Sequence, residues 1–188
     1  MAMHERTLSS KTIYDGRILR LEVQEVELAD GTRAPRELIR HAPAVAVLAR
    51  RADGRFLFVR QYRKAVEQNV LEVVAGICEP GEAPAATAAR ELQEETGCVA
   101  TRLVELGAVF ATPGYVDERI TLFYAEVAAA AGPTQCDAAE RLEVVTATAA
   151  EVEGWLRDGT LQDAKTLAAW LLYEKKVPQS DLPQRTPR

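Results

Sequence analysis

Three glutamates, Glu91, Glu94 and Glu95, stand within one five-residue stretch of the chain. On an α-helix, positions three and four apart share a face, so these carboxylates crowd together. Their repulsion costs about a few tenths of a kcal/mol per pair even in water. A hard divalent cation would neutralise it. Magnesium is the natural candidate, because it prefers oxygen ligands and binds through carboxylates together with substrate phosphates. Such an ion spreads the charge of a phosphoryl transition state and polarises its oxygens. Taken alone, the three glutamates fit a solvated acidic helix end better than a metal site.

The flanking residues predict the helix that must carry them. Pro84 suits a first helical turn, the alanines around Thr87 are strong helix formers, and Gly97 sits where a C-terminal cap belongs. Upstream, strands dominate. Residues 18–29 end at the turn signal Asp30-Gly31, and 33–40 would complete a hairpin. Residues 44–50, entered through Pro43, and 56–62, after Ala52-Asp53-Gly54, are further strands. A short strand over 70–74 leads toward the glutamate helix, and 103–110, 120–127 and 142–145 follow it. Thr148-Ala149-Ala150-Glu151 is a capping box that opens a helix running to about Asp158, closed by Gly159. A last helix spans 164–176. The proline-rich end, 177–188, is expected to be a flexible tail.

Composition narrows the function. The chain has 188 residues, 47% hydrophobic and 27% charged, the profile of a globular protein with a sizeable core. A net charge of −5 argues against a general nucleic-acid binder. No apolar run reaches membrane-spanning length, and the N-terminus lacks an apolar secretory segment. Three cysteines without CxxC spacing fit a reducing cytoplasm better than a disulfide scaffold. With only His4 and His41, a histidine-based metal site or Ser-His-Asp triad is not expected.

Gly76, Glu82, Arg90, Glu91, Leu92, Glu94, Glu95 and Gly97 stand at the intervals of the Nudix box, and the segment resembles that family. One position departs from it: Cys98 closes the box where a bulky aliphatic residue is usual. The resemblance implies a hydrolase that cleaves a nucleoside diphosphate linkage with water and a divalent ion, Mg²⁺ with Mn²⁺ as a possible substitute. It implies metal ligation by Glu91, Glu95 and the backbone carbonyl of Ala75, with Glu94 close by, and Arg90 bracing the glutamates. The implied fold is α/β: a Nudix α/β/α sandwich with a mixed sheet over 43–176, plus a small N-terminal antiparallel sheet within 1–42.

Three further segments resemble the ADP-ribose pyrophosphatase subgroup. They are Val59-Arg60-Gln61-Tyr62-Arg63, Leu71 to Gly76 (with Val74 where proline is usual), and Ala111 to Glu118, which puts Pro113 sixteen residues after Gly97. Alone, Pro113-Gly114 reads better as a type II turn between two strands. The resemblance implies substrate contacts from Arg63, Pro113, Gly114 and Glu118. It also implies contacts from Arg36 and Glu37 to the adenosine end, supplied across a homodimer that exchanges N-terminal sheets. Arg63 has the planar donors that suit a phosphate or a stacked adenine, with a surface salt bridge as the alternative, and Arg60 and Lys64 fit simple surface ion pairs. Tyr14, Tyr62 and Tyr115 are candidates to stack on a base or to serve the core. For the general base the choice lies between Glu140 and the box glutamates Glu94 and Glu95. The expected reaction is ADP-ribose to AMP and ribose 5-phosphate. Alternatives are another nucleoside diphosphate sugar such as GDP-mannose, a dinucleotide, or a non-catalytic ADP-ribose sensor.

Overall fold

The computed structural model describes residues 3–128, 134 and 141–178. The chain divides into two compact units, one formed by Met1–Pro43 with Phe110–Arg119, the other by Ala44–Val109 with Ile120–Arg188. The first is an antiparallel sheet of β1 (Arg6–Asp15), β2 (Leu19–Glu27) and β3 (Arg33–His41), in that order. Its central strand turns Glu22, Gln24 and Val26 to the buried side, alternating as the pleat requires.

The second unit is built on a seven-stranded mixed sheet. Its main path runs β10 (Leu142–Ala147), β5 (Phe56–Arg63), β4 (Ala44–Arg51), β9 (Arg119–Val127), β8 (Ala100–Phe110). β6 (Gln68–Glu72) adds to β5, and β7 (Val74–Ile77) adds to β4. β4 and β9 run parallel, whereas β4 pairs with β5 and β7 antiparallel. The strand β4 shows why helices must cover both faces. Val45, Val47 and Ala49 enter one core with Ala88 and Leu92 of α1 (Pro84–Thr96). Ala44, Ala46 and Leu48 enter the other with Val152 of α2 (Ala149–Asp158) and Ala169, Trp170 and Tyr173 of α3 (Ala164–Lys176). A strand apolar from Ala44 through Ala49 is buried on both sides, and the result is three layers, helix, sheet, helix. Aromatic edges lock the second core: Phe56 meets Trp170 edge-on at 5.0 Å between ring centroids.

Helix ends follow their local chemistry. Thr148 accepts the Glu151 N–H while the Glu151 carboxylate accepts from Thr148, so the capping box forms as expected. Gly97 closes α1 at φ 68°, a left-handed conformation that costs glycine little. α3 runs to Lys176 and is capped by Val177, which is buried in the core, so the tail expected over 177–188 does not begin there; residues 179–188 lie outside the described residues.

One expectation needs correction, and the structure settles two further points. The single strand over 70–74 is two strands: β6 pairs with β5 through Glu72, and β7 pairs with β4 from Val74. The switch falls at Val73, whose N–H donates to Thr166 Oγ1 instead of to a strand. Residues 6–15 form a complete strand that the hydrophobic pattern did not disclose. β1 is an edge with nearly every residue exposed and two register irregularities, so it carries little alternation. Pro113-Gly114 is not a type II turn, because Gly114 lacks the positive φ that turn demands. Instead Tyr115 and Val116 both donate to the Thr112 carbonyl.

Candidate active site

The acidic face of α1 is held in place by its own arginine. Arg90 donates through Nε and Nη2 to Glu82, through Nη1 to Glu91 at 2.7 Å and Glu94 at 3.0 Å, and through Nη2 to the Ile77 carbonyl. Three carboxylates and the β7 backbone thus share one guanidinium. The Arg90 hydrogen bonds pull the Glu82 pKa down to about 2. Glu82 in turn drives that of Arg90 further up. Glu82 also closes the loop before α1: its carboxylate accepts the Glu79 N–H, and Gly81 takes the positive φ of the turn.

The glycine of the box has a physical reason. A β-carbon on residue 76 would overlap the Glu91 carboxyl group. Glu91 therefore lies directly against the β7 backbone, next to Ala75, in space that only glycine leaves open. Glu95, one turn on, is buried at 5% exposure, on the side of α1 that also buries Leu92 and Thr96. Among the described residues no three His, Cys, Asp or Glu side chains are gathered into a ready metal cage. Magnesium does not require one, since it keeps several waters and binds through one or two carboxylates plus phosphates. The donors present here, carboxylates pressed against a glycine backbone, are hard oxygens of the type it takes.

Arg63 lies at the end of β5 with its side chain 42% exposed. Its Nε and Nη2 make paired hydrogen bonds of 2.6 and 2.7 Å to Glu72, which is 2% exposed. Burial opposes ionisation of Glu72, but Arg63 and Lys165 outweigh it and hold its pKa below the ordinary range. Sequence reasoning did not find Glu72 as a partner of Arg63, nor Lys165 at all. The available signal was the buried glutamate of an otherwise apolar stretch, which requires a cation. Arg60 pairs with Glu143, and Lys64 with Glu67, both on the surface.

Most of the remaining candidates lie in the N-terminal unit. Arg36 makes a paired contact to Glu5 at 2.6 and 3.0 Å. Glu37 is its neighbour on β3 and is exposed, so the two side chains leave opposite faces of the sheet. Pro113 and Gly114 are exposed, and the segment that follows is pinned to β3. Ile39 donates to the Tyr115 carbonyl at 2.7 Å, and Asp117 accepts from the His41 N–H and Arg40. Glu118 approaches His41 Nδ1 at 3.6 Å. Tyr14, Tyr62 and Tyr115 are 59%, 54% and 52% exposed, which rules out a core role for all three. Glu140 lies outside the described residues.

Comparison with known proteins agrees with this geometry. The NUDIX domain model matches residues 40–171, and that of the nucleoside diphosphate sugar hydrolase N-terminal domain matches residues 5–39. The chain is 36% identical to an ADP-ribose pyrophosphatase of Bacillus subtilis (strain 168) over 169 residues, 89% of this chain and 91% of that protein. It is 35% identical to a methanol dehydrogenase activator of Bacillus methanolicus, over 88% of this chain and 90% of that one. It is also 36% identical to an ADP-ribose pyrophosphatase of Mycobacterium tuberculosis, over 66% of this chain and 61% of that one. A solved structure of an ADP compounds hydrolase superposes with a TM-score of 0.81 at 24% identity, covering 93% of this chain and 95% of that one, and shares its fold. With the box residues assembled on α1 and β7, and a family model spanning most of the sequence, the chain belongs to the Nudix hydrolase family.

Proposed function

We propose that the protein is a divalent-metal-dependent pyrophosphatase that hydrolyses ADP-ribose to AMP and ribose 5-phosphate. The observation that carries this reading is the acidic face of α1, braced by Arg90 and fitted by Glu91 against the backbone of Gly76. The substrate follows from the relatives named ADP-ribose pyrophosphatase, one of them similar over nearly the whole chain. Glu91, Glu95 and the Ala75 carbonyl would hold the metal, with Glu94 beside them. When bound, Mg²⁺ or Mn²⁺ neutralises and polarises the diphosphate oxygens. Arg90 keeps the carboxylates from splaying apart. With Nε and Nη2 engaged by Glu72, Arg63 offers its remaining Nη1 edge to a phosphate. Glu140, or the box glutamates Glu94 and Glu95, would take the proton of the attacking water. Arg36, Glu37, Pro113, Gly114 and Glu118 would hold the adenosine and sugar ends, in a homodimer that brings a second N-terminal sheet to each site. Buried, unbridged Cys78 and Cys98 support a reducing, cytoplasmic setting.

A panel of ADP-ribose, GDP-mannose, NADH and FAD, assayed with Mg²⁺, with Mn²⁺ and with EDTA, tests the reading. ADP-ribose should give AMP fastest, and EDTA should abolish the reaction. GDP-mannose deserves its place because a GDP-mannose pyrophosphatase of Yersinia enterocolitica is 30% identical over 66% of this chain. Faster turnover of GDP-mannose than of ADP-ribose would overturn the substrate assignment, and metal-independent cleavage would overturn the site. Light scattering that finds only monomer would remove the dimer.

A further inference from the structure

A charge cluster behind Arg63 has no task in the chemistry above. The Glu72 carboxylate receives not only Arg63 but also the ammonium group of Lys165, from the first turn of α3. Lys165 donates as well to Asp163 at 2.9 Å. Asp163 caps α3 by accepting the Thr166 N–H at 2.9 Å and its hydroxyl at 2.6 Å. The Thr166 oxygen then receives the Val73 N–H at 2.9 Å, at the junction of β6 and β7. The Lys165 side chain is 14% exposed, and its ammonium group is turned to Glu72 and Asp163.

We propose that Lys165 is a positioning residue whose charge frees Arg63 to attract a diphosphate. The proposal rests on the assignment of Arg63 to the substrate phosphates. Two cations, Arg63 and Lys165, face two anions, Glu72 and Asp163, and the cluster is neutral as a whole. Without Lys165 the remaining three groups carry a net charge of −1, and the Glu95 charge acts on Arg63 as well. The guanidinium would then be fully countered by Glu72, and an incoming diphosphate would meet one more negative charge. Lys165 also shares the buried carboxylate, so Glu72 keeps the orientation that fixes the plane of the guanidinium. Asp163 and Thr166 hold Lys165 in place by tying the start of α3 to Val73.

The test compares Lys165→Met, Lys165→Arg and the charge-balanced double variant Lys165→Met with Glu72→Gln. KM and kcat for ADP-ribose are measured at low and high salt, with Mg²⁺. Calorimetry gives the Kd of ADP-ribose in EDTA. Lys165→Met should raise both KM and the metal-free Kd about tenfold, the scale of one unit charge at roughly 10 Å and an effective dielectric near 20, with a smaller change in kcat. The increase should shrink at high salt. Lys165→Arg should bind like wild type, and the double variant should recover most of the lost affinity. If Lys165→Met lowers Tm alone and leaves KM and Kd unchanged, Lys165 is only an anchor for α3 and the proposal is wrong. A wild type that binds ADP-ribose without cleaving it refutes the proposed activity and leaves the calorimetry to decide on Lys165. A wild type that neither binds nor cleaves it refutes both.

Discussion

Replacing Gly76 with alanine separates the geometry of the box from its charge. The backbone at Gly76 lies in an ordinary strand without positive φ, so alanine brings no backbone strain. The whole effect comes from the new methyl, which would overlap the Glu91 carboxyl group, whereas ordinary contacts of a β-carbon lie at 3.4–4 Å. The obstructing atoms are the end of a flexible side chain, so the fold survives by moving Glu91 aside. Overpacking of this kind costs about 1–2 kcal/mol, a fall in Tm of roughly 2–8 °C for a chain of this size. The carboxylate must retreat by more than about 1 Å, and misplacement on that scale costs roughly 100-fold in rate. Steady-state turnover of ADP-ribose, a Mg²⁺ titration and a thermal melt read the three consequences together. Gly76→Ala should lose about 100-fold in kcat/KM and require more Mg²⁺, with a modest loss of Tm. Added to Glu91→Gln, it should cost little more, because both act on one carboxylate. Wild-type kcat and Mg²⁺ dependence in Gly76→Ala would refute the link between the glycine, Glu91 and the metal.

Glu95→Gln should lower kcat at least about 100-fold with Tm little changed; near-full activity with any divalent ion would remove Glu95 from the metal set. Glu140→Gln should reduce kcat more than Glu118→Gln does, and the reverse ranking in steady-state kinetics would move the base away from Glu140. Arg90→Met removes the partner that holds Glu82 near a pKa of about 2, against an ordinary 4.5. A depressed carboxylate pKa stabilises the fold above the ordinary value, and that stabilisation disappears as pH falls through the folded one. Melts across pH should therefore show the gap between wild type and Arg90→Met open at neutral pH and narrowing from about pH 4.5 down to about 2; a gap independent of pH would contradict the ion-pair account. Thr148→Ala removes the capping box of α2 and should cost about 1 kcal/mol, or roughly 2–4 °C in Tm, with kcat intact.

The one-dimensional signals were strong where local chemistry decides conformation. Proline at the start, alanines within and glycine at the end specify α1, and the capping box specifies α2, because those preferences act within a few residues. The layered α/β fold was legible through the box resemblance, and the apolar run of β4, which needs cover on both faces, agrees with it. The box itself placed the acidic residues on one helix through spacing alone.

What the sequence could not disclose depends on groups far apart along the chain. The break at Val73 exists because the strand changes partner from β5 to β4, and because Thr166, in α3, takes its N–H. β1 is held by its pairing with β2 rather than by an apolar pattern of its own. Arg63 was legible as a cation for a phosphate or a surface salt bridge; only the fold gives it the buried Glu72 and, behind that, Lys165, which is 102 positions from Arg63 in sequence. Residue types and intervals determined which atoms are able to bind charge. The folded chain decided which charges meet, because burial strips water from a carboxylate such as Glu72 and leaves it dependent on whichever cations the packing brings within reach.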